Sequence, residues 1–125
     1  MADLKARAAT AADVQTFYPE MTSSFRAWVC EMDGEPQGII GIALLRPVAC
    51  MFSAFKEPLQ PHLKSLTVLR LVKRAEAAVK ASRVPVWAVA EPGMPTAPGM
   101  LERLGFEYLG LDNDNEIYSW YPGEA

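Results

Sequence analysis

The stretch from Val48 to Arg83 constrains the fold most. It opens as a strand-length apolar run, Val48-Ala49-Cys50-Met51-Phe52-Ser53-Ala54-Phe55. It crosses a polar, proline-flanked loop, Lys56-Glu57-Pro58-Leu59-Gln60-Pro61-His62, and becomes the one long helical pattern. Leu63, Leu66, Leu69, Val72, Ala75 and Val79 recur there at three and four, a spacing that places them along one helix face. The helix is predicted to stop near Ser82, and Val84 to Ala90 reads as a further buried strand. A strand–helix–strand crossover implies that its two strands pair in parallel. Where the first strand feeds the helix, several backbone N–H groups lack intrahelical partners, and such an end attracts anions, phosphates especially.

The rest of the chain supplies the remainder of one sheet. Leu4 to Ala9 reads as a first strand. Thr10 and Asp13 then start a helix, the hydroxyl as cap and the carboxylate in the first turn. Val14, Phe17 and Tyr18 give that helix an apolar side, and Pro19 ends it. Glu20 to Ser24 is a short connection. Phe25 to Met32 and Gln37 to Leu45 form a hairpin about Asp33-Gly34, residue types that tolerate positive φ. Arg46-Pro47 turns the chain into the Val48 strand. Strands apolar on both sides of the pleat predict helices on both faces of the sheet. Pro92 to Pro95 is a loop, Thr96 to Leu104 a short helix stopped by Gly105, and Phe106 to Leu111 with Glu116 to Tyr121 a last hairpin. The order is β-α-β-β-β-α-β-α-β-β, an α/β (α+β) single mixed twisted sheet flanked by helices.

Length and charge narrow the function classes. A chain of 125 residues, half of them hydrophobic, predicts one ordered domain, 1–125. A net charge of −3 offers no electrostatic case for nucleic acid. The longest apolar run, Ile39 to Leu45, is too short to span a bilayer, and the N-terminus carries no apolar signal core. Cys30 and Cys50 lie in predicted strands and read as buried free thiols of a reducing, cytoplasmic compartment. One histidine and no clustered cysteines argue against a zinc site.

Three local patterns carry a family resemblance. They are Ala6-Arg7-Ala8-Ala9-Thr10 with Asp13; Trp28-Val29-Cys30-Glu31 with Asp33-Gly34-Glu35-Pro36-Gln37-Gly38-Ile39-Ile40-Gly41; and Leu101-Glu102-Arg103-Leu104-Gly105-Phe106. In this order, across nearly the whole chain, they resemble the GNAT superfamily of N-acetyltransferases. A fainter likeness, resting on the Phe-rich strand end and the glycine-free loop after it, is to GNAT-like proteins that tailed phages encode among their virion genes. The resemblance implies that acetyl-CoA lies in a cleft where the fourth and fifth strands splay, with its pyrophosphate on the tip of the long helix. It implies a loop of pattern Gln/Arg-x-x-Gly-x-Gly/Ala, direct attack of an amine on the thioester, and a helix-four tyrosine that protonates the thiolate.

Matched residue by residue, that loop is Gln60-Pro61-His62-Leu63-Lys64-Ser65. Gln60 keeps the pattern; Leu63 and Ser65 stand where glycine, and glycine or alanine, are expected. Glycine there lets the backbone approach a pyrophosphate, so this site is a weakened one. His62 and Lys64 supply compensating charge, and Phe55 closes the strand before the loop; Phe55, Gln60, His62, Leu63, Lys64 and Ser65 are the cofactor-binding candidates. The tyrosine position is Leu101 and an asparagine position is Met94, while the alanine after it is kept as Ala97. The strand Val48 to Phe55 carries no carboxylate for a general base. The segment before the second strand is too short for the family's second helix, which walls the acceptor pocket.

Plainer readings stand beside these. Gln60 to Ser65 is also a capped loop ahead of a helix. His62, Glu57 and Glu91 read as solvated loop groups, Cys50 as a core thiol, Phe52 and Phe55 as packing residues, and Lys64, Arg70, Lys73, Arg74, Lys80 and Arg83 as the wet side of the long helix. Two functions follow as expectations. One is an acetyl-CoA-dependent N-acetyltransferase acting on a small-molecule or peptide amine in the cytoplasm. The other is a catalytically inactive GNAT-like interaction or structural protein, virion-associated if phage-encoded. The exposed edge of the last hairpin makes a homodimer an expectation of either.

Overall fold

The computed structural model describes residues 3–90 and 97–123. The elements are β1 (Leu4–Ala8), α1 (Ala11–Phe17), β2 (Ser24–Met32), β3 (Glu35–Leu44), β4 (Ala49–Phe55), α2 (Leu66–Lys80), β5 (Val86–Ala90), α3 (Ala97–Arg103), β6 (Glu107–Asp112) and β7 (Asn115–Trp120). This is the predicted order. The strands form one mixed sheet, β1-β2-β3-β4-β5-β7-β6, in which β4 and β5 are the parallel pair at the crossover.

Local chemistry explains the boundaries. Asp33 and Gly34 both take positive φ, 52° and 85°, the conformation that a two-residue hairpin turn needs to follow the strand twist. Asn113 and Asp114, at 51° and 69°, do the same for β6 and β7. Thr10 caps α1 reciprocally with Asp13: the Asp13 N–H donates to Thr10 Oγ1 and the Thr10 N–H to Asp13 Oδ2. Asp13 also takes a bidentate pair from Arg7 at 2.6 and 2.9 Å, while Arg7 Nε donates to Glu31 at 2.7 Å. One guanidinium thus ties α1 to β1 and β2. α3 ends in Gly105, φ 93°, with the Phe106 N–H on the Leu101 carbonyl and the Gly105 N–H on that of Glu102. That is the paired-bond arrangement of a helix stopped by a left-handed residue.

Both faces of the sheet are covered. On one, Leu71, Ala75 and Val79 of α2 and Leu101 of α3 pack with Ile40, Met51, Val86 and Ala88. On the other, Val14 of α1 packs with Ala27, Val29 and Ile39, flanked by Phe17, Tyr18 and Phe52.

Two expectations are corrected. The long helix begins at Leu66, three residues later than its leucine pattern implies, because Glu57–His62 forms a 3-10 helix and Ser65 caps α2 anew through Val68 N–H. An α-helix turns about 100° per residue, so a strict three-residue spacing drifts around it, and Leu66, nine residues before Ala75, falls on the opposite side. The buried row of α2 is therefore Val68, Leu71, Ala75, Ala78 and Val79, whereas Leu66 and Leu69 are 63% and 49% exposed. Cys30 is fully buried as expected, but Cys50 is only half-buried.

Candidate functional site

The register of β4 creates the site. Ala49, Cys50 and Met51 pair with Val86, Trp87 and Ala88, and there the parallel ladder stops. Beyond it, among the described residues, β4 continues to Phe55 beside β3 alone, and Val89 and Ala90 continue beside β7. The two strands part after Met51, and a gap opens toward the loop that leads into α2.

The groups facing this gap follow from strand geometry. The Lys56 N–H bonds to the Gln37 carbonyl on β3, whereas the Ala49 N–H bonds to Pro85 on the β5 side. Peptide groups alternate between the edges of a strand, so Ser53 and Phe55 turn their N–H and C=O toward the gap. Both carbonyls are already engaged. Tyr18 Oη donates to the Ser53 carbonyl at 2.9 Å, and Gln60 Nε2 donates to the Phe55 carbonyl at 2.8 Å.

The loop between β4 and α2 is tied inward as well. Leu59 is fully buried, and the N–H groups of Leu59, Leu63 and Ser65 bond to the carbonyls of Lys56, Gln60 and His62. Leu63 sits in the right-handed helical region, φ −64°, and its side chain packs against the main core, so this position does not use a glycine's freedom. At the tip of α2 the Val68 N–H goes to Ser65 Oγ and the Leu69 N–H to the Ser65 carbonyl. The first helical amides, Leu66 and Thr67, are the donors a helix start leaves for an anion. Lys64 beside them is exposed and His62 half-buried.

Of the six cofactor candidates, the fold gathers Phe55, Gln60, Leu63, Lys64 and Ser65, with His62, in one turn between the gap and α2. Two of them already serve the chain itself: Gln60 caps Phe55, and Ser65 caps the helix. Phe55 packs on the α2 face and Phe52 on the α1 face, where it meets Tyr18 edge-on with ring centroids 5.2 Å apart. The basic residues Lys64, Arg70, Lys73, Arg74, Lys80 and Arg83 are exposed, as expected. Leu101, at the family's tyrosine position, is buried in the core. Met94 and Glu91 lie outside the described residues.

The α1 face holds a concavity of about 560 Å³, bounded by Phe17 to Ser23, Ala43, Leu45, Cys50 and Phe52. The sequence marks Phe17, Tyr18, Cys50 and Phe52 only as apolar or packing residues, and no local pattern joins them into one wall. Only the pairing of β4 brings Cys50 and Phe52 to the point where the gap begins. Burial pushes the Cys50 thiol up, so it stays protonated at neutral pH.

A parallel pair that parts beside a helix tip, within one mixed sheet, is a scaffold with counterparts among solved structures. No family model and no curated protein matches the chain by sequence. The ribosomal-protein-S18-alanine N-acetyltransferase of Escherichia coli superposes with a TM-score of 0.65 at 13% identity, over 98% of this chain and 96% of that one. A GNAT-family acetyltransferase of Streptococcus pneumoniae gives 0.62 at 14%, over 97% and 100%. A GNAT-family acetyltransferase of Staphylococcus aureus gives 0.62 at 10%, over 94% and 98%. The chain has the GNAT acyl-CoA N-acyltransferase fold.

Residues at the gap fit acetyl-CoA in part. The helix tip, Lys64 and the inner strand edge suit a phosphorylated, amide-bearing chain, while the two capped carbonyls and the inward loop amides reduce what is offered. No helix among the described residues is long and apolar enough to cross a membrane.

Proposed function

We propose that this protein is an acetyl-CoA-dependent N-acetyltransferase with an amine acceptor. The observation that carries the reading is the end of β4–β5 pairing at Met51 and Ala88, beside the start of α2. The cofactor would supply an acetyl thioester. Leu66 and Thr67 N–H and the Lys64 ammonium are suited to its pyrophosphate, and Ser53 and Phe55 N–H to its amide carbonyls. Among the described residues, β4 offers no carboxylate and Leu101 no proton; the acceptor's ammonium would lose its proton before the amine attacks, and the released thiolate would take one up from solvent. Isothermal titration with acetyl-CoA tests the reading, and absence of heat at millimolar cofactor ends it.

One observation favours a second reading. The chain's own Tyr18 and Gln60 occupy both gap-facing carbonyls, as expected of a scaffold kept without its ligand. On that reading the protein is a non-catalytic interaction or structural component, virion-associated if phage-encoded. Turnover of acetyl-CoA with any amine decides against it. The first reading places the protein in the cytoplasm, away from nucleic acid and membranes. The exposed Tyr108, Leu109 and Leu111 on edge strand β6 support a homodimer under either, and sedimentation velocity tests it.

A further inference from the structure

We propose that the concavity on the α1 face receives an acceptor whose primary amine is carried on an apolar or aromatic body. The reaction of that amine rests on the acyl-transfer reading; its binding does not. The volume, about 560 Å³, lies in the range of small-molecule sites. The wall is apolar: Phe17, Met21, Ala43, Leu45 and Phe52, with Tyr18 beside them. The Tyr18 hydroxyl is directed to the Ser53 carbonyl. Among the described residues Glu20 is the one carboxylate in the lining, and no lysine or arginine lines the space. Lys56, whose ammonium lies 5.2 Å from the Phe17 ring centroid, is not a lining residue. This distribution draws an ammonium and leaves an anionic acceptor without a counter-charge.

The location matches a reaction partner. Cys50 pairs with Trp87 one step before the last β4–β5 bridge, and Phe52 is the first β4 residue beyond it. The concavity therefore meets the apex of the gap from the face opposite α2. Tyr18 belongs to both, lining the concavity and bonding to a gap-facing carbonyl of β4. The chain between α1 and β2 is too short for another helix, and the space stays wide.

Cys50 is a built-in reporter, with Cys30, fully buried, as internal control. The wild-type protein is alkylated with N-ethylmaleimide at mildly alkaline pH and followed by intact mass. Three probes are compared: 2-phenylethylamine, ethanolamine and 3-phenylpropionate. At about four times its Kd, 2-phenylethylamine should slow Cys50 labelling about fivefold by simple occupancy. Ethanolamine and 3-phenylpropionate should leave the rate unchanged, and Glu20→Gln, at an exposed position, should weaken protection by the amine. No protection by 2-phenylethylamine, or equal protection by 3-phenylpropionate, overturns the assignment. Acetyl-CoA titration separates the two ideas: protection without cofactor heat removes acyl transfer and leaves the pocket, and heat without protection does the reverse.

Discussion

The Gln60 side-chain amide donates to the Phe55 carbonyl at 2.8 Å and so closes the mouth of the β4–β5 gap with the chain's own loop. A CoA-like chain laid along β4 would need that carbonyl for one of its amide N–H groups. Gln60 therefore competes with the ligand that its position in the loop pattern implies it should hold. Gln60→Ala should release the Phe55 carbonyl and tighten acetyl-CoA binding about fivefold, the worth of one exposed hydrogen bond. Lys64→Glu should weaken binding about tenfold, with the difference shrinking as salt is raised. Titration calorimetry measures both. Loss of all binding in Gln60→Ala would mean that this side chain touches the cofactor directly.

The Arg7–Asp13 pair makes acid stability predictable. Hydrogen bonds from Arg7 hold the Asp13 carboxyl well below the usual carboxylate range, against the opposing effect of burial. A carboxylate with a depressed folded-state pKa contributes its full stability above its unfolded value. That contribution fades as pH falls below about 4. Asp13→Ala removes the α1 cap and leaves Arg7 with Glu31 alone, and should lose about 3 kcal/mol at neutral pH. Its melting temperature should depend less steeply on acid than the wild type's; equal slopes would assign the acid sensitivity elsewhere.

Leu59 anchors the 3-10 helix to the core under β3. A Cβ built on Gly38 would lie 2.5 Å from Leu59 Cδ2 and 2.8 Å from Phe55 Cδ1. Leu59→Ala should lose about 3 kcal/mol by leaving a cavity. Gly38→Ala should lose about 2 kcal/mol by overpacking. Together they should cost less than the sum, since the cavity accepts part of the added methyl. A denaturant double-mutant cycle measures the coupling, and strict additivity would show that the two do not share the space.

The corrected face of α2 has a simple test. Leu69→Lys should change stability by less than about 0.5 kcal/mol, because the residue is already 49% exposed. Leu71→Ala, at a fully buried position, should lose about 3 kcal/mol. Chemical denaturation of the two variants ranks them, and a reversed order would restore the face that the leucine spacing suggested.

The chain's local rules settled the elements themselves. Positive-φ residues at Asp33-Gly34 and around Asn113, the Thr10–Asp13 cap and the Gly105 stop act within a few residues, so the order of elements along the chain, the turns and most boundaries were legible before any tertiary contact was considered. The parallel crossover followed too, because a helix-long connection permits little else. The buried face of α2 was not legible. The leucine spacing groups Leu66 and Leu69 with Ala75 and Val79, yet at about 100° per residue they lie off the stripe of Val68, Leu71, Ala75 and Val79, which packing on the sheet selects. The site belongs to the same class. Where β4 and β5 part, which carbonyls turn into the gap, and that Tyr18 from α1 and Gln60 from the loop meet them are matters of register between segments distant in sequence. No residue carries its partner's position in its own neighbourhood; packing of the whole sheet assigns it.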